Sequence, residues 1–366
     1  MAGGAAQSTR SDAVWSEQGT TPDAIEAALR RLLNEVHAQN DEFLPARVLN
    51  MIAFVDREWT GEIANRLRGV GRYHASRLVV LAYEPRRERL DARVMITAEG
   101  ASAPGELALL HETVVVELGD CHLDDLLTIA DPLVVTDLPT LLWSPHGHHE
   151  IVTELLALSQ AVLLDSVDEP ITREALDRAC ELTARAYVVD LAWLRSTPWR
   201  ERVAATFDPV WLRRELCAIT GVTVRHHPAS TAAALLLVGW LASRLDWQAE
   251  ALVADGDALV GHTHAGGQHV AVRLEAAPEL QVPGLAGLAL ETASGLHLSL
   301  SRGSGGLHAQ RRWPISDDRP HGEEQEWTIP GASRGETGVL GEGIRQALLR
   351  DPTYAPALQA ARAMLP

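Results

Sequence analysis

The 366-residue sequence contains no lysine: all 32 of its basic side chains, set against 49 acidic ones, are arginines. A lysine is required in a Walker A phosphate loop, in a Schiff-base enzyme and in the nucleotide site of a protein kinase. The sequence therefore excludes these three classes of catalyst.

Cysteines and long apolar runs are also scarce. The three cysteines, Cys121, Cys180 and Cys217, are far apart and form no CxxC pair. This excludes a disulfide framework or a zinc ribbon and indicates a reducing, cytoplasmic environment. The longest uncharged apolar stretch, 229–243, is shorter than the ~18 residues that span a bilayer. Residues 1–19 are small and polar with acids, so we expect neither a signal peptide nor a transit peptide there.

The net charge of −17 disfavours nucleic acid as a partner, since proteins that bind it usually present a basic face. We therefore expect no nucleic-acid partner and, without an apolar run of spanning length, no membrane partner. The 46% apolar content is ordinary for a soluble protein with a sizeable core.

The length predicts about two domains at ~150 residues each. Apolar runs at 47–55 and 77–83 predict buried strands that alternate with helical patterns. Residues 187–194 also read as a strand, and short strands with glycine-rich turns from 251 to 313 predict an antiparallel meander. We predict an α/β protein of two domains: a disordered tail (1–20), an N-terminal α/β sandwich with a partly parallel sheet (21–168), a C-terminal α+β domain with the meander (169–310), a loop (311–337) and C-terminal helices (338–366).

One short motif matches a catalytic pattern. Residues 331–335 (GASRG) fit the G-x-S-x-G nucleophile elbow of α/β-hydrolases. That elbow needs a strand just before it and a histidine later in the chain, whereas Pro330 precedes it and no histidine follows Ser333. We predict a flexible loop here and, since no other catalytic constellation stands out, a protein without catalytic residues, cofactor or enzyme activity.

Three histidines are the best candidates for metal ligands. His262 and His264 are two residues apart, so on a strand they share a face, and His269 follows closely. Imidazoles on one face can hold zinc or another divalent ion where a third ligand converges. The alternative is a set of polar positions on a solvated strand. The glycines at 303–306, between two strand-like runs, predict a hairpin turn rather than a nucleotide loop.

Two further groups are candidates for a partner interface or an anion site. His74, Ser76 and Arg77 stand at the entrance to the second buried strand, where an arginine beside a serine could bind phosphate. The alternative is that Arg77 pairs with an acidic residue of the neighbouring helix. A second group is rich in Trp and Arg, which suits either a binding hot spot or a core wall with a charged rim; it comprises Trp193, Arg195, Trp199, Arg200 and Trp211.

Residues 74–81, 131–139, 189–195 and 197–200 carry phrases that resemble those of one known family. It is the glucose-6-phosphate dehydrogenase assembly protein (OpcA) family, here of actinobacterial type. Residues 74–81 (HASRLVVL) are similar to its HPSR phrase with an apolar strand. Residues 131–139 (DPLVVTDLP), with Trp143 beyond, resemble the stretch before its DLP…W strand. Residues 189–195 (VDLAWLR) and 197–200 (TPWR) resemble the signature that opens its second domain.

This resemblance spans roughly residues 20 to 300 and departs from the family pattern in places. Ala75 replaces the usual proline, and Trp143 is single where a Trp pair is common. The resemblance implies a non-enzymatic partner that binds glucose-6-phosphate dehydrogenase and promotes its active oligomer, which supports the oxidative pentose phosphate pathway and NADPH supply. Thiol regulation, linked to cysteines in the cyanobacterial branch, is not expected from three scattered cysteines.

Two other functions remain open from the residues alone. An α/β protein can bind a small molecule, or act on one, in the crevice at its strand ends. The histidines at 262–269 could instead make this a metal-binding protein.

Overall fold

The computed structural model describes residues 10–39, 47–71, 76–99, 109–303, 305–313, 323–330 and 335–365. The chain divides into two compact units. The first comprises Met1–Leu164, Arg185–Val189 and Leu340–Leu349, and the second comprises Asp165–Ala184, Asp190–Val339 and Arg350–Pro366.

The first unit is built on an eight-stranded sheet, as far as the described residues show. Its strands are β1 (Arg10–Glu17), β2 (Leu49–Asp56), β3 (Ser76–Tyr83), β4 (Asp91–Glu99), β5 (Leu109–Leu118), β6 (Thr140–Trp143), β7 (Ala161–Leu164) and β8 (Tyr187–Asp190), in the spatial order β1-β4-β5-β3-β2-β6-β7-β8. Strands β5, β3, β2, β6 and β7 pair in parallel, whereas β1 and β4 are antiparallel additions. The predicted partly parallel sheet is therefore confirmed.

Helices pack on this sheet through apolar faces. They are α1 (Pro22–Gln39), α2 (Thr60–Gly71), α3 (Leu126–Ala130) and α4 (His149–Leu155), with 3-10 turns at Arg57–Trp59, Asp120–Asp125, Asp131–Leu133 and Leu156–Leu158. The stripe Ile25, Leu29, Leu32 and Val36 of α1 is buried, as its helical spacing predicts. Every residue of β2 from Leu49 to Val55 is buried, which is typical of a central parallel strand covered on both faces.

One polar side chain lies inside that apolar strand. Asn50 donates from Nδ2 to the carbonyl oxygens of Val135 (2.9 Å) and Leu138 (3.3 Å), and its Oδ1 accepts from the Val135 amide at 2.9 Å. A buried amide is tolerated when its donors and acceptor are satisfied. Asn50 thus fixes the segment that leads into β6.

The second unit combines helices with a nine-stranded sheet among its described residues. Its helices are α5 (Thr172–Thr183), α6 (Leu191–Arg195), α7 (Thr197–Phe207), α8 (Val210–Leu216) and α9 (Thr231–Arg244), with a 3-10 turn at Pro228–Ser230; α10 (Gly335–Leu349) and α11 (Tyr354–Ala363) follow at the end of the chain. Its strands are β9 (Ile219–His226), β10 (Gln248–Ala249), β11 (Val253–Asp255), β12 (Ala258–Ala265), β13 (Gln268–Ala276), β14 (Leu285–Thr292), β15 (His297–Gly303), β16 (Gly306–Trp313) and β17 (Glu323–Pro330).

This second sheet has the order β10-β12-β13-β9-β14-β15-β16-β17, with β11 also paired to β12. Among the described residues, the strands of this sheet pair antiparallel, except that β9 and β13 pair in parallel. The expected meander and the β15–β16 hairpin, in which Gly303 pairs with Gly306, are confirmed. Helix α9, which is apolar over almost its whole length, packs between β9 and α11.

Three details of the sequence prediction need correction. Part of the predicted tail is ordered, because residues 10–17 form β1 along the edge of β4. Part of the predicted loop 311–337 is strand, because 323–330 add to β16 as β17. The strand predicted at 187–194 ends at Asp190, whose carboxylate accepts from the Ala192 amide and starts α6. All three depend on partners distant in sequence or on one capping bond, which local patterns do not reveal.

Within the described residues, no helix combines the length and the apolar character needed to cross a membrane.

Candidate functional site

The parallel strands of the first unit end at one edge, where α/β proteins commonly bind ligands. Strands β5-β3-β2-β6-β7-β8 have the third-second-first-fourth-fifth-sixth order of dinucleotide-binding folds, with the reversal between β2 and β6. This edge is therefore the structural equivalent of a nucleotide crevice.

The residues at this edge do not suit a dinucleotide. At the end of β2, Asp56 Oδ1 lies 3.0 Å from His148 Nε2, and the His148 ring packs edge-on against Phe54 with centroids 5.0 Å apart. The turn after β2 carries bulky and acidic side chains. The ring centroids of Trp59 and His146 are 5.5 Å apart. A pyrophosphate requires a glycine-rich turn that exposes backbone amides. Here it would meet carboxylates and large side chains instead.

The neighbouring strand end is also occupied by its own side chains. The Tyr83 hydroxyl, at the end of β3, donates to Asp120, and this bond raises the pKa of Tyr83 to about 12. Glu84 pairs with Arg87, whose guanidinium also lies 2.6 Å from Glu117. The edge is thus held by internal ion pairs and aromatic contacts.

The predicted anion site at the entrance to β3 is a buried ion pair. Arg77 is buried, with its Nε 2.7 Å from Glu112 Oε2, and it also donates to the Leu133 carbonyl at 3.2 Å. Arg47 approaches the same carboxylate. The partner acid lies on the adjacent strand β5 rather than on a helix. The charge of Arg77 is thus balanced by Glu112. Ser76 is half-buried, and His74 lies outside the described residues.

The Trp and Arg group of the second unit is divided by burial. Trp193 and Trp199 are only 2% and 3% exposed, which places them in the core. Arg195 pairs with Asp165 through both terminal nitrogens, at 2.8 and 2.7 Å. The two tryptophans therefore belong to the core, whereas Arg195 is half-buried in its ion pair.

Arg200 is mostly buried and contacts other residues of the second unit. Its guanidinium lies 3.6 Å from the centroid of the Trp193 ring and donates to Ser196 Oγ (3.1 Å) and Thr197 Oγ1 (2.9 Å). Burial lowers the pKa of Arg200 to about 10. The Trp193 indole donates to Asp351 Oδ2 at 2.8 Å, so this stack joins α6 and α7 to the segment before α11.

Asp190 is a buried carboxylate that sequence reasoning did not single out as a site. It accepts from the Ser166 hydroxyl and amide, from the Ala192 amide and from the Tyr354 hydroxyl at 3.0 Å. Burial, together with the nearby Asp165 charge, raises the pKa of Asp190 to about 6. Its position directly before the LAWLR helix was the only available signal. Within the second unit, the group connects Ser166 with the start of α6 and with α11.

Trp211 is the exposed member of the predicted interface group. It is 50% exposed on α8, beside Val210, which is 78% exposed. Its ring stacks on Trp313 with centroids 5.6 Å apart, and the Arg311 guanidinium lies 5.5 Å from the centroid of each ring. An exposed indole stacked on a second Trp beside an arginine has the composition of a binding hot spot. We call Val210, Trp211, Arg311 and Trp313 the tryptophan patch.

The three candidate histidine ligands lie on one exposed face of β12 and β13. His264 is directly opposite His269, with ring centroids 4.4 Å apart, and His262 is 6.1 Å from His269. His264 Nδ1 lies 3.2 Å from Glu250 Oε1. Across the described ranges, no group of three or more His, Cys, Asp or Glu side chains is arranged to hold a metal ion. The G-x-S-x-G residues 331–334 lie outside those ranges.

Two family models match the chain in order. Residues 68–181 match the glucose-6-phosphate dehydrogenase subunit N-terminal domain of the OpcA family, and residues 186–358 match the C-terminal domain of the same family. They begin inside α2 and end inside α11, so they include most of both units.

Curated relatives carry the same family name. A protein named OpcA, with reference to the OxPP cycle, from Nostoc punctiforme is 35% identical over 120 residues, 32% of this chain and 26% of that protein. The corresponding protein of Synechocystis sp. is 30% identical over 120 residues, 31% of this chain and 25% of that protein. The matches thus span about a quarter of the length of these relatives.

Solved structures show a more distant likeness. A UDP-N-acetylglucosamine 3-dehydrogenase from Acidithiobacillus ferrooxidans aligns with a TM-score of 0.47 and 10% identity, covering 87% of this chain and 97% of that one. A scyllo-inositol dehydrogenase from Lactobacillus casei aligns with a TM-score of 0.44 and 10% identity, covering 87% and 96%. Likenesses this distant do not indicate the activity of the chain. The two family models and the curated relatives identify the family instead, and the chain belongs to the OpcA family, with both of its domains in order.

Proposed function

We propose that this chain is a non-catalytic assembly factor that binds glucose-6-phosphate dehydrogenase and promotes its active oligomer. The observation that carries the proposal is the ordered match of both OpcA domains, described as subunit domains of that enzyme. In this role the protein acts in the cytoplasm and supports the oxidative pentose phosphate pathway and NADPH supply.

The edge of the parallel sheet supports a binding role over dehydrogenase chemistry. The site where a nicotinamide dinucleotide would lie holds Asp56, Glu58 and Trp59 in place of a glycine-rich turn. The Asp56–His148 pair and the Phe54 ring occupy the mouth of this crevice. The fold order is that of a nucleotide-binding domain, but the side chains do not fit the nucleotide.

The mechanism is a linkage of binding to oligomer state. A partner that binds the active oligomer more tightly than the inactive form shifts the population by the ratio of its two affinities. A difference of about 1.4 kcal/mol in binding free energy produces a tenfold shift. No group of the assembly factor needs to enter the enzyme's active site.

We assign the tryptophan patch to the contact with the enzyme. Trp211 offers an exposed aromatic surface already ordered by its stack on Trp313, so binding orders few additional degrees of freedom. Arg311 adds a cation beside both rings. Rigid Trp and Arg side chains carry much of the free energy at protein interfaces.

The test is an activity titration with the same organism's glucose-6-phosphate dehydrogenase at limiting glucose 6-phosphate, while oligomer mass is followed. We expect a saturable rise in rate together with a heavier complex. Replacing Trp211→Ala should weaken the complex by about 2 kcal/mol, roughly thirtyfold in Kd.

Trp59 supplies the matched control, since it is another exposed Trp (43%) and belongs to the first unit, whereas the patch belongs to the second. Trp59→Ala should leave the affinity unchanged, and both variants should retain the wild-type melting curve. Unchanged rate and mass on adding the wild-type protein would refute the assembly function. Equal losses for the two Trp variants would refute the assignment of the patch.

A further inference from the structure

A recess in the second unit has two arginines in its wall. It lies where β14 begins and β15 ends, beside α6 and the first turn of α9. Arg195 of α6 and Arg302 of β15 line it together with Gly284, Ser196 and Ala233, and its other walls are apolar. In the part of the chain that the structure describes, no carboxylate belongs to this lining.

The charge of Arg195 is balanced, whereas that of Arg302 is not. The Arg195 guanidinium binds the Asp165 carboxylate at 2.8 and 2.7 Å. Among the described residues, no side-chain hydrogen bond or ion pair joins Arg302 to another group. Arg302 is exposed as a whole residue, yet burial of its guanidinium lowers its pKa, and no described carboxylate lies near enough to raise it again.

Other buried guanidinium groups of the same unit have a carboxylate beside them. Arg200, which is mostly buried, lies 3.9 Å from Asp351. The chain has 49 acidic residues against 32 basic ones, so acids are present in excess. Moving a charge partly out of water is unfavourable unless an opposite charge or hydrogen bonds compensate it. For Arg302 the described chain supplies neither, which points to an anion from solution.

Helix α9 adds a second positive contribution to the recess. Ala233 belongs to the first turn of this 14-residue helix, so the positive end of the helix dipole lies at the recess. Ser230, buried at the start of the helix, accepts from the Gly284 amide at 2.8 Å and fixes this end beside β14. A helix end of this polarity favours an anion and disfavours the Arg302 cation on its own.

Gly284 allows the guanidinium to reach this position. Its φ is +124°, and a Cβ built on it would lie 2.8 Å from Arg302 Nη2. A side chain at residue 284 would therefore displace the guanidinium from the recess. The glycine keeps Arg302 close to the backbone that leads into β14.

We propose that this recess binds a phosphate group, which the Arg302 guanidinium holds at the amino end of α9. The planar fork of a guanidinium matches two oxygens of a phosphate. A phosphate has further oxygens for the helix end, whereas the two oxygens of a carboxylate are both used by the fork. The site does not depend on the proposed contact with glucose-6-phosphate dehydrogenase.

The experiment is calorimetric titration of the full chain, in a chloride buffer, with inorganic phosphate, methyl phosphate and acetate. We expect one phosphate per chain and a melting temperature that rises with phosphate concentration, because the ligand binds the folded state. Acetate should bind about tenfold more weakly or less well still. Binding of inorganic phosphate alone would identify free phosphate as the ligand. Equal or tighter binding of methyl phosphate would identify a phosphate group carried by a larger molecule, and both results support the site.

Arg302→Gln should weaken phosphate binding by about tenfold or more. Without phosphate, its melting temperature should not fall, because the wild-type side chain has no partner to lose. Arg244→Gln is the matched control, since Arg244 is an exposed arginine at the opposite end of α9, and it should bind phosphate as wild type does. A wild-type protein that binds no phosphate overturns the proposal, as does normal binding by Arg302→Gln or equal affinity for acetate and phosphate.

Discussion

At the scale of single residues, buried charges in this protein organise its interior. Glu112 binds two arginines, and Asp190 accepts four hydrogen bonds: two from Ser166, one from α6 and one from α11. Breaking one member of such a group leaves a buried charge or donor without its partner, which destabilises more than the loss of one ordinary contact. Arg77, a candidate ligand residue in the sequence, is paired within the first of these groups.

Asp190 makes a prediction about pH. Its pKa in the folded protein is raised to about 6. Between about pH 4 and pH 6, this carboxyl group is therefore protonated in the folded state and ionised in the unfolded state. Its contribution to stability is therefore present at the acid end of this window and is lost as the pH rises through about 6. Asp190→Asn, which cannot ionise, should remove this dependence.

The measurement is the free energy of unfolding in urea, for wild type and variant, from pH 4 to pH 7. The wild-type value minus the Asp190→Asn value should fall by about 3 kcal/mol at most across this range. A flat difference for Asp190→Asn would mean that its carboxyl group titrates alike in both states.

At the scale of elements, the close approach of α9 and α11 depends on one glycine. A Cβ at Gly239 would lie 2.2 Å from the Ala357 carbonyl oxygen and 2.9 Å from the Ala361 amide nitrogen. Both atoms belong to backbone and cannot move aside without separating the helices. This contact explains why a glycine stands within an otherwise continuous apolar helix, where it is unfavourable by about 1 kcal/mol relative to alanine.

Gly239→Ala should therefore destabilise the protein despite its better helix propensity. We expect a loss of about 1–3 kcal/mol in the free energy of unfolding, because the added methyl group forces the helices apart. Gly61→Ala is the matched control, since Gly61 lies in α2 with no atom near its would-be Cβ. That variant should be about 0.5–1 kcal/mol more stable than wild type. Thermal or urea denaturation measures the free energy of unfolding of each variant. A Gly239→Ala variant more stable than wild type would contradict the packing argument.

The sequence predicted best those helices and strands that depend mainly on their own local pattern of apolar residues. The apolar runs of β2 and β3 predicted buried strands, and the structure has both. Strand β17 was missed because its Glu-rich sequence forms a strand only beside β16, where Gln310 bonds to Glu324 and Glu326. Isolated from that partner, it has the composition of a solvated loop.

At the scale of the whole molecule, net charge governs encounter with a partner. A chain with 49 acidic and 32 basic residues attracts a basic surface over distances comparable with the ~8–10 Å Debye length of physiological salt. We expect the association rate with glucose-6-phosphate dehydrogenase to fall as salt is raised, with a smaller change in the dissociation rate. Stopped-flow binding at several ionic strengths measures both rates, and an association rate independent of salt would contradict steering by the acidic surface.

The sequence by itself excluded the catalysts that require a lysine, and it indicated the family to which the protein belongs. The absence of lysine, the isolated cysteines and the order of short family phrases are properties of the chain that folding does not alter. It also determined the main elements, because hydrophobic periodicity is local.

Only the tertiary structure decided which arginines and tryptophans are available to a partner. The sequence places Trp193, Trp199 and Trp211 in one group, yet packing buries the first two and leaves Trp211 exposed. Likewise, Arg77 is paired with Glu112, which is 35 residues away in the chain, and is therefore not available to a ligand. Burial and ion pairing are set by long-range contacts between strands and helices, and these contacts exist only once the chain has folded.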